Sequence, residues 1–307
     1  MNHQHELDPA EQRIFESMSA LLERAGLEYR GNYLEVDGRR IHYLDYGNGP
    51  PLLLLHGGGA GSAIWFRQIE ALARTRRVIA PDHPVFGLSS QEPYQSPLTG
   101  SLLRYLTGFM DALGLDRVDA VGLSMGAQAA LAMALAGTGR LNRLVVIDGA
   151  GLGKATALIF KLAIVPLLGR LVLRPNRWGR DHFFKTMEVV NSDFEDAGAY
   201  RRYSYDVTLA NGHRGALRSS LSVFTSFSGQ RSVFTDEELR SITNPMLVIW
   251  GARDKLFPVA HGYRLAQLAP NATMHVIENS AHVPLLDNPG QVNDLIVGFL
   301  GDSGRRG

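Results

Sequence analysis

The reading turns on Asp119-Ala120-Val121-Gly122-Leu123-Ser124-Met125-Gly126-Ala127-Gln128-Ala129-Ala130. The apolar run predicts a short buried strand, Gly122 to Gly126 a tight turn with Ser124 at its tip, and the alanines a helix. Gly-x-Ser-x-Gly is the pattern in which a strained strand-to-helix turn pushes a serine hydroxyl out of the backbone. The glycines belong there because strand and helix approach closely and a Cβ would intrude. By composition alone a chain of this kind holds about 0.2 such patterns. Alone, the motif reads first as a serine capping a helix N-terminus, so the rest of the chain has to supply the context.

The 307 residues allow one large domain or two ordinary ones, and 45% hydrophobic with 20% charged residues is ordinary for a globular protein. A net charge of +1 gives no electrostatic footprint for nucleic acid or for an anionic membrane. The absence of cysteine removes disulfide scaffolds, thiolate metal sites and cysteine nucleophiles together. Met1 to Asp8 lacks the basic and apolar regions of a signal peptide, so a cytoplasmic protein is the expectation.

Asp8-Pro9-Ala10-Glu11 predicts a helix start with a capping box, and Ile14, Met18, Leu21, Leu22 and Ala25 share one face of the helix that follows. This helix is expected on the outside of the domain or over its cap. Tyr33 to Tyr46 reads as a hairpin turning at Asp37-Gly38. Short apolar runs then alternate with helical stretches. Strands are expected at 52–55, 78–80, 120–122, 144–147, 246–250 and 274–277, with helices at 65–73, 102–113, 126–136, 259–268 and 291–300. That alternation implies an α/β fold with a mostly parallel sheet covered on both faces. It breaks between Gly151 and about Thr243, which reads as helical with no strand pattern. The expected organisation is an N-terminal helical extension (1–30), a core (31–151 and 244–301) and a helical cap (152–243). Within the cap, Lys161, Pro166 and Arg170 interrupt the apolar run 157–173, which is too broken to span a membrane. The tail from Asp302 to Gly307 is expected to fray.

A serine nucleophile needs a base, and the base needs an orienting acid. Trp250-Gly251-Ala252-Arg253-Asp254 presents Asp254 after one strand, and Asn279-Ser280-Ala281-His282 presents His282 after the next. Three chemical groups at three strand exits, in the order Ser, Asp, His, make a strong constellation. Asp148, also at a strand exit, is the rival acid. Leu55-His56-Gly57-Gly58-Gly59-Ala60-Gly61 is a glycine loop directly after an early strand. Gly58 and Met125 are the expected oxyanion-hole N–H donors, with Gly57 and Gly59 beside the substrate and His56 bracing the loop. No Gly-Lys-Ser/Thr follows, which excludes a phosphate loop. The remaining histidines show no metal-ligand spacing and are expected to be surface or capping residues.

On these residues the chain resembles an α/β-hydrolase-fold protein from about Tyr33 to Leu300. Pro81-Asp82-His83-Pro84-Val85-Phe86-Gly87-Leu88-Ser89 resembles a family loop, with Val85 where glycine is usual. The glycine loop and Asp148-Gly149-Ala150-Gly151-Leu152-Gly153 are similar to meta-cleavage-product hydrolases, which split carbon–carbon bonds in vinylogous diketones. Those enzymes usually carry proline at the position of Ala60 and often tryptophan at that of Val283, and the departures favour an ester hydrolase. They also use a cap arginine on the substrate's acid end. Arg202 matches by position, with Arg201 and Arg214 as substitutes. The resemblance implies a small apolar ester or related carbonyl substrate and acyl transfer without metal or organic cofactor. A small-molecule receptor on the same fold is the reading from another class. Cap residues including Leu158, Ile159, Phe160, Leu162, Ile164, Leu167 and Leu168 would roof a greasy pocket, form the cap's own core or touch lipid. Oligomeric state, a homodimer included, is left open.

Overall fold

The computed structural model describes residues 7–91, 93–165, 168–169, 176–213 and 216–301. Pro166, Leu167, Arg170, Arg214 and the tail from Asp302, singled out above, lie outside them, as do His3 and His5 among the remaining histidines. Helix α1 (Pro9–Arg24) opens on the expected capping box. Asp8 Oδ1 accepts the Ala10 and Glu11 amides, and Glu11 accepts the Asp8 N–H at 3.0 Å. Its Ile14, Met18, Leu21 and Leu22 are fully buried, and the helix lies against the cap helix Ala197–His213.

The strands are β1 (Gly31–Val36), β2 (Arg39–Tyr46), β3 (Pro51–Leu55), β4 (Arg77–Pro81), β5 (Val118–Leu123), β6 (Leu141–Ile147), β7 (Thr225–Ser226), β8 (Gly229–Gln230), β9 (Met246–Gly251) and β10 (Ala272–Ile277). Eight form one sheet in the order β1-β2-β4-β3-β5-β6-β9-β10, antiparallel from β1 to β4 and parallel from β4 onward. The β1–β2 turn has Asp37 and Gly38 both at positive φ, as a two-residue hairpin requires. Successive residues of β3 face opposite sides of the sheet. Leu52 and Leu54 join one core cluster and Leu53 and Leu55 the other, so an unbroken apolar run is what a doubly covered strand needs. Edge strand β10 alternates half-buried with exposed residues instead.

The expected helix at 65–73 is two pieces, a 3-10 turn Ser62–Trp65 and then α2 (Ile69–Ala73). The Ser62 amide donates to the buried Asp82 carboxylate, which ties the first piece to the end of β4. Helices α3 (Leu98–Ala112) and α4 (Met125–Leu135) follow as expected. Between Gly151 and Thr243 the regular elements of the described chain are helices except for β7 and β8, a two-rung hairpin. Strands this short leave no alternation to read, and Gly229 at φ +117° packs against the Lys154 carbonyl. Of the apolar run, Leu158 is 66% exposed whereas Phe160 packs edge-on against Phe224. No helix among the described residues is long and apolar enough to cross a membrane.

The loop after β4 carries strain. Val85 sits at φ +84°, a conformation a β-branched residue rarely adopts. Its backbone follows the glycine-type loop, and the fully buried side chain fills core volume that glycine would leave empty. Beside it, the histidine expectation fails. His42 and His83 are fully buried, neither surface nor capping. His42 Nδ1 lies 2.7 Å from Asp82 Oδ2, and His83 meets His56 edge-on at 4.6 Å. The chain reversal at Asp82 brings β2 and the loop together, so the carboxylate needs buried partners.

Two predictions follow from these contacts. A Cβ on Gly126 would lie 2.0 Å from the Leu55 carbonyl oxygen, so Gly126→Ala should cost about 2–4 kcal/mol in urea unfolding. Burial alone would raise the Asp82 carboxyl, but the adjacent His42 ring, then His56 and the Leu88 amide, outweigh it and hold it at about 2. A lowered folded-state value stabilises above the unfolded value of 3.8, and that stability is lost as pH falls through the folded value. The stability gap between wild type and Asp82→Asn should therefore narrow by about 2 kcal/mol between pH 4 and pH 2. A gap independent of pH would refute the lowered Asp82 carboxyl.

Candidate active site

Parallel pairing sets the site. Leu123 pairs with Ile147, Ile147 with Ile249, and Gly251 with Ile277. The carboxyl ends of β5, β6, β9 and β10 are thus neighbours, and Ser124, Asp148, Asp254 and His282 follow them in that order. Ligands of open α/β sheets bind at this edge.

Ser124 has φ +54° and ψ −115° between β5 and α4, a strained conformation for a non-glycine residue. Neighbouring backbone holds it there. The Ser124 N–H donates to the Ile147 carbonyl, and its own carbonyl accepts from Ala150 and Gln128. A Cβ on Gly122 would lie 2.5 Å from the Ala127 nitrogen, so both glycines of the motif are steric requirements. Met125 is the first residue of α4, where an N–H has no intrahelical acceptor.

The glycine loop lies against this turn. A Cβ on Gly57 would stand 3.2 Å from Ser124 Cβ and 3.7 Å from its Oγ, and one on Gly58 would stand 3.9 Å from Met125 Sδ. Gly59 takes φ +80°. His56 is fully buried. Its Nδ1 meets the Gly57 carbonyl at 2.7 Å, and its Nε2 accepts the His83 amide at 2.9 Å. That pairing selects the neutral ring with the proton on Nδ1, and burial lowers its basicity further. His56 therefore braces the loop.

Asp254 and His282 meet across the ends of β9 and β10, with His282 Nδ1 2.8 Å from Asp254 Oδ2. A carboxylate only accepts, so Nδ1 donates and Nε2 is left as the basic nitrogen. Asp254 Oδ1 accepts the Leu256 and Phe257 amides at 2.7 and 3.1 Å. Both side chains are almost completely buried, and Phe257 packs edge-on against the imidazole at 5.3 Å. Asp148, Asp254 and His282 place one donor atom each within 4.8 Å of one another, the acid and histidine cluster found among the described residues. Three N–H donors already occupy Asp254, which suits the cluster to sharing protons more than to holding a cation.

The cap reaches the histidine through two contacts that the sequence did not signal. The N–H of buried Val283 donates to the Glu188 carbonyl at 2.8 Å. Asp287 accepts the Ala281 amide on one oxygen and the Val190 and Asn191 amides on the other, at 2.8–3.0 Å. Arg202 stands apart. Its guanidinium is 66% exposed and lies 4.0 Å from Asp206 along its own helix. The buried cap arginine is Arg180, which pairs with Glu188 at 2.9 Å and donates to Ser204.

Known proteins give this geometry its context. Residues 50–289 match the model of the α/β-hydrolase fold. A 2-hydroxy-6-oxononadienedioate/2-hydroxy-6-oxononatrienedioate hydrolase of Dechloromonas aromatica is 32% identical over 85% of this chain and 90% of its own. Among solved structures, a serine hydrolase involved in carbazole degradation is similar at 27% identity and a TM-score of 0.73, covering 89% of this chain and 99% of its own. A carboxylesterase of Bacillus subtilis shares the fold at a TM-score of 0.79 and 23% identity, covering 95% of this chain and 99% of its own. With its eight-stranded sheet, its Gly-x-Ser-x-Gly turn and these relatives, the chain belongs to the α/β-hydrolase fold family.

Proposed function

We propose that the protein hydrolyses a carbon–carbon bond beside a ketone in a vinylogous diketone, with Ser124, His282 and Asp254 as the catalytic triad. The observation that carries this reading is the similarity to a meta-cleavage-product hydrolase across core and cap together. It reverses the preference drawn from Ala60 and Val283, because a match over 85% of the chain outweighs two positions. Ser124 Oγ attacks the ketone carbon while His282 Nε2 takes its proton. Asp254 holds the tautomer and stabilises the imidazolium. The Gly58 and Met125 N–H groups receive the oxyanion, each contributing about 3–4 kcal/mol to lowering the barrier. As the tetrahedral adduct collapses, the carbon–carbon bond breaks. The bond breaks from the keto tautomer, in which the proton of the 2-hydroxyl has moved to carbon 5; its electrons then delocalise through the C3–C4 double bond onto the carbon-2 oxygen as a dienolate, which takes the proton from His282. Water, deprotonated by the same nitrogen, then releases the acyl group from Ser124.

Ester hydrolysis is the second reading. Among the described cap residues, Arg202 is exposed and Arg180 is already paired with Glu188, so neither of these two is placed to meet a dienoate carboxylate. An ester with an apolar acyl group needs no cationic partner.

One panel separates the two. A 2-hydroxy-6-oxohexa-2,4-dienoate carrying aryl or alkyl groups at carbon 6 should be turned over with a kcat/KM at least about 100-fold above that for p-nitrophenyl butyrate. The opposite ranking would establish the esterase. On the better substrate, Ser124→Ala should lower kcat by about 10³-fold or more, and Asp254→Asn, which presents the wrong imidazole tautomer, by about 10⁴-fold. Near wild-type turnover in Ser124→Ala would remove the triad assignment altogether.

A further inference from the structure

Asp148 enters none of the steps above, yet it is a fully buried acid between the serine and the triad acid. It follows β6, lies at φ +43°, and is held by its own N–H to the Ile249 carbonyl. One carboxyl oxygen, Oδ1, accepts the Gly251 amide at 3.1 Å, while Oδ2 is buried and receives no N–H or hydroxyl hydrogen. Its neighbour Asp254 has the opposite provision. One Asp254 oxygen accepts two amides, and the other accepts His282 Nδ1.

Two carboxyl groups with oxygens within 4.8 Å of each other and out of water resist both being ionised. The one that keeps its charge is the one whose negative charge is best hydrogen-bonded. Three N–H donors against one make that Asp254. The remaining proton then has one place where it removes an unsatisfied buried atom, between Asp148 Oδ2 and Asp254. From this geometry we propose that Asp148 is a neutral carboxylic acid that donates its hydrogen to the Asp254 carboxylate and so positions the triad acid. Burial first, and the Asp254 carboxylate next, push the Asp148 carboxyl well above the usual aspartate range; Asp287 adds to this from the neighbouring loop, and the Gly251 amide opposes it.

The consequence is a chain of three hydrogen bonds from Gly251 N–H through Asp148 and Asp254 to His282. Asp148 holds its proton throughout turnover, so no charge moves through it. It fixes the Asp254 plane and moderates the charge that His282 meets. Asp148 is accordingly a positioning residue. Asparagine at this position can still accept the Gly251 amide and donate to Asp254, whereas alanine can do neither.

This inference rests on the triad reading, and the test separates the two. Infrared spectra at pH 8 should contain a carboxylic-acid carbonyl band that disappears in Asp148→Asn. In kinetics, Asp148→Asn should keep kcat within about threefold, and the acidic limb of its kcat/KM profile should stay within about 0.3 pH unit, because no charge has been removed. Asp148→Ala should lose about 10- to 100-fold in kcat with KM little changed. An acidic limb displaced by about one unit in Asp148→Asn would show an ionised Asp148 and overturn the proposal. So would absence of the infrared band. A loss of about 10⁴-fold in Asp148→Asn would make Asp148 itself the triad acid and likewise overturn it. Failure of the triad reading would appear instead as undiminished turnover in Ser124→Ala, and would leave the band in place.

Discussion

The whole site depends on how closely helix α4 approaches the end of β3. At Gly126 there is no room for a side chain beside the Leu55 carbonyl, and at Gly122 none beside the turn itself. That contact forces Ser124 into a left-handed conformation and brings Gly57 against it. Strain of this kind costs about 1–3 kcal/mol and persists only where surroundings over-determine it. Here the determinants are the Ser124 N–H, which donates to the Ile147 carbonyl at the end of β6, and the Ser124 carbonyl, which accepts the Ala150 amide. The Ser124 turn and the glycine loop are therefore one packing unit, although Leu55 and Leu123 at the exit of β5 are 68 positions apart in sequence.

The electrostatics of the other half follow from burial. Asp254 and His282 are shut away from water, so each must satisfy the other, and spare lone pairs must find backbone amides. The Asp82 network obeys the same rule on the far side of the glycine loop, where His42, the Ser62 amide and the Leu88 amide surround one carboxylate. These two buried carboxylates brace the two ends of the site, one through the imidazole and one through the loop that carries Gly57.

Much of this was legible because it is periodic. Leu52 to Leu55 and Met246 to Trp250 read as strands since both faces of the sheet are covered, and Ser124, Asp254 and His282 could be located as strand exits. The 3-10 turn Ser62–Trp65 ahead of α2 was not legible, because its start is fixed by a tertiary hydrogen bond, from the Ser62 amide to Asp82, that no local pattern encodes. The same holds for Asp287, whose three acceptor bonds join segments almost a hundred residues apart. Asp148 was visible at its strand exit, but its relation to Asp254 depends on which residues sit opposite in the sheet. Arg202 shows the converse. Its position along the chain suggested a role that its place on the outer side of its helix does not support, since a helical pattern of mean amphipathicity gives no azimuth.

The Glu188 carbonyl and the Asp287 carboxylate give the cap and the His282 loop a common fastening. The residues on either side of His282 are thus hydrogen-bonded to one stretch of cap backbone, Ala281 through Asp287 and Val283 directly. Neither segment can be displaced from the other without leaving a buried amide or carboxylate oxygen without its partner, so the cap is built into the wall that holds the histidine loop.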